Sequence, residues 1–222
     1  MDSSSLILKI VMAAVPILIA ITFHEVAHGF VAYRLGDPTA KMLGRLTLNP
    51  IVHIDLIGTV LLPAFLLIST QGQFVFGYAK PVPINPMNFS NPRRDMALSA
   101  AAGPITNILL ALASVIILKL ILAPLASLAP EFLSKSLFVP LIMIFYSSAV
   151  YNIVLAVFNM IPVPPLDGGR VLTGLLPTRH AISFEKIEQY GFLIVIILLI
   201  TGIAQSIIWP VIAFFLRLFR LY

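Results

Sequence analysis

The first long apolar run of the chain, from about Leu6 to Tyr33, carries His24, Glu25 and His28 near its end. Each ionisable group placed inside a membrane-spanning helix costs about 2–3 kcal/mol or more on insertion scales, so three in five residues must be compensated by something they bind or by one another. A soluble setting for this run is excluded by composition. Of 222 residues, 59% are hydrophobic and 10% charged, against roughly 45–50% apolar and about 25% charged in an ordinary soluble domain. The same balance excludes disorder, which requires low hydrophobicity and high net charge. A crossing needs about 20 apolar residues, so a chain of this length has room for about four to six spans and no sizeable soluble domain.

Residues 1–222 therefore read as one integral-membrane domain of all-α polytopic class, with core spans at about 6–34, 96–123 and 137–161 and a further apolar region at about 190–221. The N-terminus has no basic cluster or cleavage site, and the first run reads as a retained span. Leu56 to Ile68 is short for a crossing and is expected to be re-entrant or to lie on the surface. Prolines 81, 83, 86 and 92 punctuate the next stretch, and proline in sheets is tolerated mainly at edges, so a short β-strand or hairpin is predicted near 72–85. The final region is interrupted near Gly202, Gln205 and Pro210 and reads as one span plus an interfacial helix, or as a hairpin. Although the net charge is +5 and the pI about 9.7, the basic residues sit in the loops between apolar runs. That pattern is a topology signal, and no basic stripe with interleaved aromatics suggests a nucleic-acid partner.

His24-Glu25-Val26-Ala27-His28 has the H-E-x-x-H form. On a helix, residues four apart share a face, so both imidazoles can reach one ion, and Glu25 is placed to accept a proton from a metal-bound water. The chain has no cysteine, so a metal must be held by His and carboxylate, and Zn2+ is the natural candidate, one per chain. Candidates for a third ligand are His53, His180, Asp2, Asp37, Asp55, Asp95, Asp167, Glu131, Glu185 and Glu188. Asp167 is the best placed, because it follows the run Pro162-Val163-Pro164-Pro165 at the end of a span. Non-helical backbone at membrane depth is tolerated where it lines a protein cavity. Ser99, Gly103 and Asn107 form a small and polar stripe on the second span that suits close packing against the histidine-bearing helix.

Together, His24-Glu25-x-x-His28, Gly103-Pro104-x-x-Asn107 and Asn159-x-x-Pro162-x-Pro164-Pro165-Leu166-Asp167-Gly168 resemble the site-2 protease family of intramembrane zinc metalloproteases, in its small prokaryotic form without a PDZ domain. The resemblance covers roughly residues 6 to 175 in order and spacing. It implies zinc bound by His24, His28 and Asp167, Glu25 as general base, and Asn159 positioning the substrate carbonyl. It also implies a substrate that is a single-span membrane protein or a remnant signal peptide. Asn107 is a possible support for the site, and Phe76 and Tyr78 could offer an extended backbone to an unwound substrate helix. His53 and Asp55 could make an auxiliary metal or gating contact.

For Asp167 to meet the two histidines, the first and third core spans must run parallel, with one net crossing between them. That arrangement gathers Arg34, Lys41, Arg45, Lys80, Arg93, Arg94, Arg170, Arg179 and Lys186 on one side. By the positive-inside rule this is the cytoplasmic side of the cell membrane, and a hairpin in the final region would add Arg217 and Arg220 to it. Two readings from other classes are an intramembrane metal transporter and an inactive binding scaffold. The transporter reading gives Glu25 no task, and retention of Glu25 and all three ligands weighs against the scaffold.

Overall fold

A computed structural model describes residues 3–71 and 77–221. Among them three helical stretches are long and apolar enough to cross a membrane: Ala14–Arg34, Pro92–Leu128 and Glu131–Asn159. The first belongs to a helix, Ser3–Arg34, that stops in a Schellman motif. Asp37 N–H donates to the Ala32 carbonyl and Gly36 N–H to that of Tyr33, with Gly36 at φ +110°, a conformation that favours glycine. Buried Asp37 then fastens this helix end to the loop ahead of the second span, accepting from Asn85 N–H, the Asn88 side chain and Thr39. Burial pushes the Asp37 carboxyl up, but those hydrogen bonds outweigh it and hold the group below its ordinary value.

The second span begins at Pro92 behind an Asn91 cap, and proline suits the first turn of a helix because its missing N–H is not needed there. Contacts between spans fix their directions. His28 meets Ser99 while His24 meets Asn107, so the first two spans are antiparallel. Asn107 meets Asn152 while Ser114 meets Ser148, so the second and third are antiparallel too. The first and third spans are thus parallel. Many buried positions along the bundle are small or polar, among them Ala20, Ser99, Ala100, Gly103, Asn107, Ala111, Ala149 and Asn152, while Ile105, Leu109, Leu112, Ile116 and Leu120 face outward. Without a hydrophobic force between helices in lipid, close backbone approach through small residues is what packs them.

One expectation needs correction. No strand occurs among the described residues of 72–85; residues 77–82 are extended, but Pro81 and Pro83 interrupt the donors at its end, and the strip bonds to a helix-entry loop rather than to a second strand. Residues 72–76, with Phe76, lie outside the described residues. The described helices supply three spans, or four if the bent pair counts as one, against the four to six expected. Leu56–Ser69 is a shorter apolar helix, and most of its large side chains are exposed.

In the final region, Glu188–Ile200 and Ile203–Leu218 meet at 76° across Thr201 and Gly202, with Gly202 at φ +75°. The second helix of this pair lies against the third span, Ile208, Ile212 and Leu216 packing with Ile153 and Ala111. Its end reaches Lys119, whose ammonium donates to the Phe219 and Arg220 carbonyls, and Tyr146, whose hydroxyl donates to that of Leu221. Arg217 and Arg220 consequently lie at the end of the bundle away from the other loop cations, because the pair bends instead of folding back as a hairpin.

Candidate metal centre

His24 and His28 stand one turn apart on the first span, and the helix Asp167–Leu175 carries Asp167 to them in its first turn. The break between Asn159 and Asp167 follows from Pro162, Pro164 and Pro165, which cannot continue a helix. It also packs backbone on backbone: a Cβ on Gly168 would lie 2.4 Å from the Met160 carbonyl oxygen, and one on Gly169 would lie 2.5 Å from Pro164 N. The three ligand atoms converge. His24 Nε2 is 3.0 Å from His28 Nε2, and Asp167 Oδ2 is 3.1 and 3.3 Å from the two nitrogens.

The hydrogen bonds behind the ligands decide what this triangle can hold. His28 Nδ1 lies 2.7 Å from the Ser99 carbonyl oxygen, which can only accept, so that nitrogen carries the proton. His24 Nδ1 faces Asn107 Oδ1. Asn107 Nδ2 donates to the Ala20 carbonyl (3.2 Å) and to Asn152 Oδ1 (2.7 Å), leaving its oxygen to accept from His24. Each Nε2 therefore turns a lone pair towards a carboxylate oxygen that is itself buried and has no donor. Three mutually repelling acceptors at 3.0–3.3 Å fit a cation between them. With Zn–N of about 2.0–2.1 Å, a tetrahedral site places neighbouring ligand atoms about 3.3 Å apart, close to the spacing seen. Gly103 leaves the space: a Cβ there would be 2.4 Å from His28 Nε2 and 2.6 Å from His24 Cε1.

A cavity of about 540 Å³ opens beside His24, bordered by Glu25, Ala79, Asn159 and Phe192. Glu25 Oε2 accepts from the Val82 N–H at 2.8 Å. Asn159 reaches the same cavity from the third span, its side-chain amide donating to the Leu155 carbonyl one turn back. The extended strip 77–82 forms one wall. Tyr78 and Lys80 N–H groups donate to the carbonyls of Gly58 and His53, and Arg45 donates to the Lys80 carbonyl at 2.8 Å. The pleat turns the peptide groups of Ala79 to the opposite edge, where Ala79 lines the cavity.

Among the described residues, His24, His28 and Asp167 are the group of His, Asp or Glu side chains able to converge on one ion. Asn107 abuts His24, whereas Asn159 and Tyr78 border the cavity and not the ligand triangle. His53 and Asp55 stand apart: His53 Nε2 faces the Thr47 carbonyl, and Asp55 caps the helix that starts at Leu56. Asn152, fully buried against Asn107, escaped the sequence reading. The rule that flags a polar residue in an apolar run applies to it as it does to Asn107, but no motif spacing singles it out.

A family model described as peptidase family M50 matches residues 12–202. The protein named "Putative zinc metalloprotease YwhC" of Bacillus subtilis (strain 168) is 37% identical over 196 residues, which cover 88% of this chain and 83% of that protein. Two proteins named "Putative zinc metalloprotease Rip2", from Mycolicibacterium smegmatis and Mycobacterium tuberculosis, are 29% and 28% identical, and the alignments cover 64% of each. No solved structure matches the chain.

Proposed function

Because the chain belongs to peptidase family M50, we propose that this multi-pass membrane protein is a zinc metalloprotease that cuts transmembrane segments of other membrane proteins, as in regulated intramembrane proteolysis. The observation that carries the reading is the convergence of His24 Nε2, His28 Nε2 and Asp167 Oδ2 within 3.0–3.3 Å, with acceptors behind both rings that assign their protons to Nδ1. Zinc bound there supplies a Lewis-acidic centre that polarises the scissile carbonyl and acidifies water.

The chain's own residues do the rest. Glu25 takes the proton of the attacking water and returns it to the departing amine nitrogen, and the Val82 N–H orients its carboxylate towards the cavity. The Asn159 amide, at the cavity wall, donates to the carbonyl oxygen as charge develops on it. The exposed edge at Ala79 pairs with a locally unwound substrate, which holds the peptide extended beside Glu25. Substrates of this kind are single-span proteins or remnant signal peptides. The positive-inside rule applied to the loop cations near the site supports a cytoplasmic-facing site in a prokaryotic cell membrane, and the relatives are bacterial.

Glu25→Gln tests the mechanism. The purified variant keeps about one zinc per chain and cleaves a model transmembrane substrate about 10²–10⁴-fold more slowly; a variant that holds zinc and cleaves like wild type overturns it.

A further inference from the structure

Asn152 sits on the third span, 0% exposed, and is joined to His24 through Asn107 by a chain of hydrogen bonds. The chain runs from Ser148 to Asn152, Asn107 and His24. Asn152 Nδ2 donates to the Ser148 carbonyl at 2.8 Å, which turns its Oδ1 towards Asn107. Asn107 Nδ2 gives one hydrogen to that oxygen at 2.7 Å and the other to the Ala20 carbonyl at 3.2 Å. With both hydrogens committed, Asn107 presents Oδ1 to His24 Nδ1 and can only accept.

A carboxamide has near-equal shape in its two orientations, so packing alone does not choose between them. Flipped, Asn107 would present N–H to His24 Nδ1. That imidazole would then carry its proton on Nε2, the atom facing His28 and Asp167, and could not ligate a metal. The Ala20 carbonyl opposes the flip through the longer of the two bonds. Asn152 opposes it through the shorter.

We propose that Asn152 is a positioning residue that locks the tautomer of His24 through Asn107, and so keeps Nε2 available for the metal. The inference rests on reading His24 as a metal ligand. Outer partners that orient a ligating histidine are worth about 10–100-fold in metal affinity, and the same range is expected here for loss of Asn152, although nothing about the three ligands changes. Because the effect passes through Asn107, the two asparagines are not independent, and their substitutions must not add.

The test uses the full chain in lipid nanodiscs. Zinc affinity, measured by competition with a chromogenic chelator, falls about 10–100-fold in Asn152→Leu and in Asn107→Leu, and the double variant is no weaker than Asn107→Leu alone. In metal-free protein labelled with ¹⁵N-histidine, His24 carries its proton on Nδ1 in the wild type and shifts towards Nε2 in Asn152→Leu. A merely structural role in helix packing would lower the melting temperature of the metal-free protein without moving that signal. Unchanged zinc affinity in Asn152→Leu, additive losses in the double variant, or a wild-type His24 protonated at Nε2 each overturn the proposal. The wild-type spectrum decides even if the variants do not fold. A wild-type chain that binds no zinc at all strikes instead at the proposed function.

Discussion

At Gly103 the second span meets the two imidazoles of the candidate metal centre. Its missing side chain is occupied by the two imidazoles, the nearest atom standing 2.4 Å from where a Cβ would lie. Gly103→Ala forces His28 or the helix to shift, an overpacking that costs about 1–3 kcal/mol, and zinc affinity falls with it; chelator competition on the purified variant reads the loss, and an unaltered affinity contradicts the tight approach. This glycine belongs to a stripe that the sequence already marks, with Ser99 and Asn107, and it packs against the histidine-bearing helix as that stripe suggests. Packing between helices was legible from residue size. That the space is reserved for imidazole rings was not, because it depends on where His24 and His28 point after three helices have assembled. Asn152 lay further out of reach for the same reason, its partner being 45 positions away.

At the scale of elements, residues 77–82 show how far a local pattern carries. The prolines correctly indicate extended chain, and Tyr78 and Lys80 do alternate in donating to the 53–58 loop. A strand needs a continuous partner, however, and Pro81 and Pro83 remove the donors that would extend the ladder. What remains is a short strip fastened on one edge by Gly58, His53 and Arg45 and open on the other. Ala79→Pro deletes the N–H on the open edge while keeping an extended conformation at Tyr78. Cleavage of a transmembrane substrate falls at least tenfold in this variant with zinc content unchanged; cleavage at the wild-type rate removes substrate pairing from the mechanism. The bend at Gly202 was also half legible: the sequence marks an interruption there, but only the packing of Ile208 and Ile212 on the third span distinguishes a bend from a hairpin.

For the whole molecule, the antiparallel order of the three spans follows from needing both histidines and Asp167 at one depth, and that requirement was readable from the motifs alone. The charge distribution agrees with it except at Arg217 and Arg220, which Lys119 and Tyr146 mark as lying at the far end. Since the chain contains no cysteine, single replacements report sidedness without background. Lys41→Cys and Lys186→Cys react with an impermeant maleimide only after cells are opened, while Ser127→Cys reacts in intact cells. The reverse pattern inverts the orientation derived from the loop cations.

All of this turns on whether the three converging side chains hold zinc. The direct measurement is the metal content of purified wild type beside Asp167→Asn, by elemental analysis, with X-ray absorption at the zinc edge to identify the ligands. The account predicts about one zinc per wild-type chain with nitrogen and oxygen neighbours at about 2.0–2.2 Å, and loss of most of that metal in the variant. Wild-type protein without zinc, or Asp167→Asn retaining it undiminished, contradicts the account.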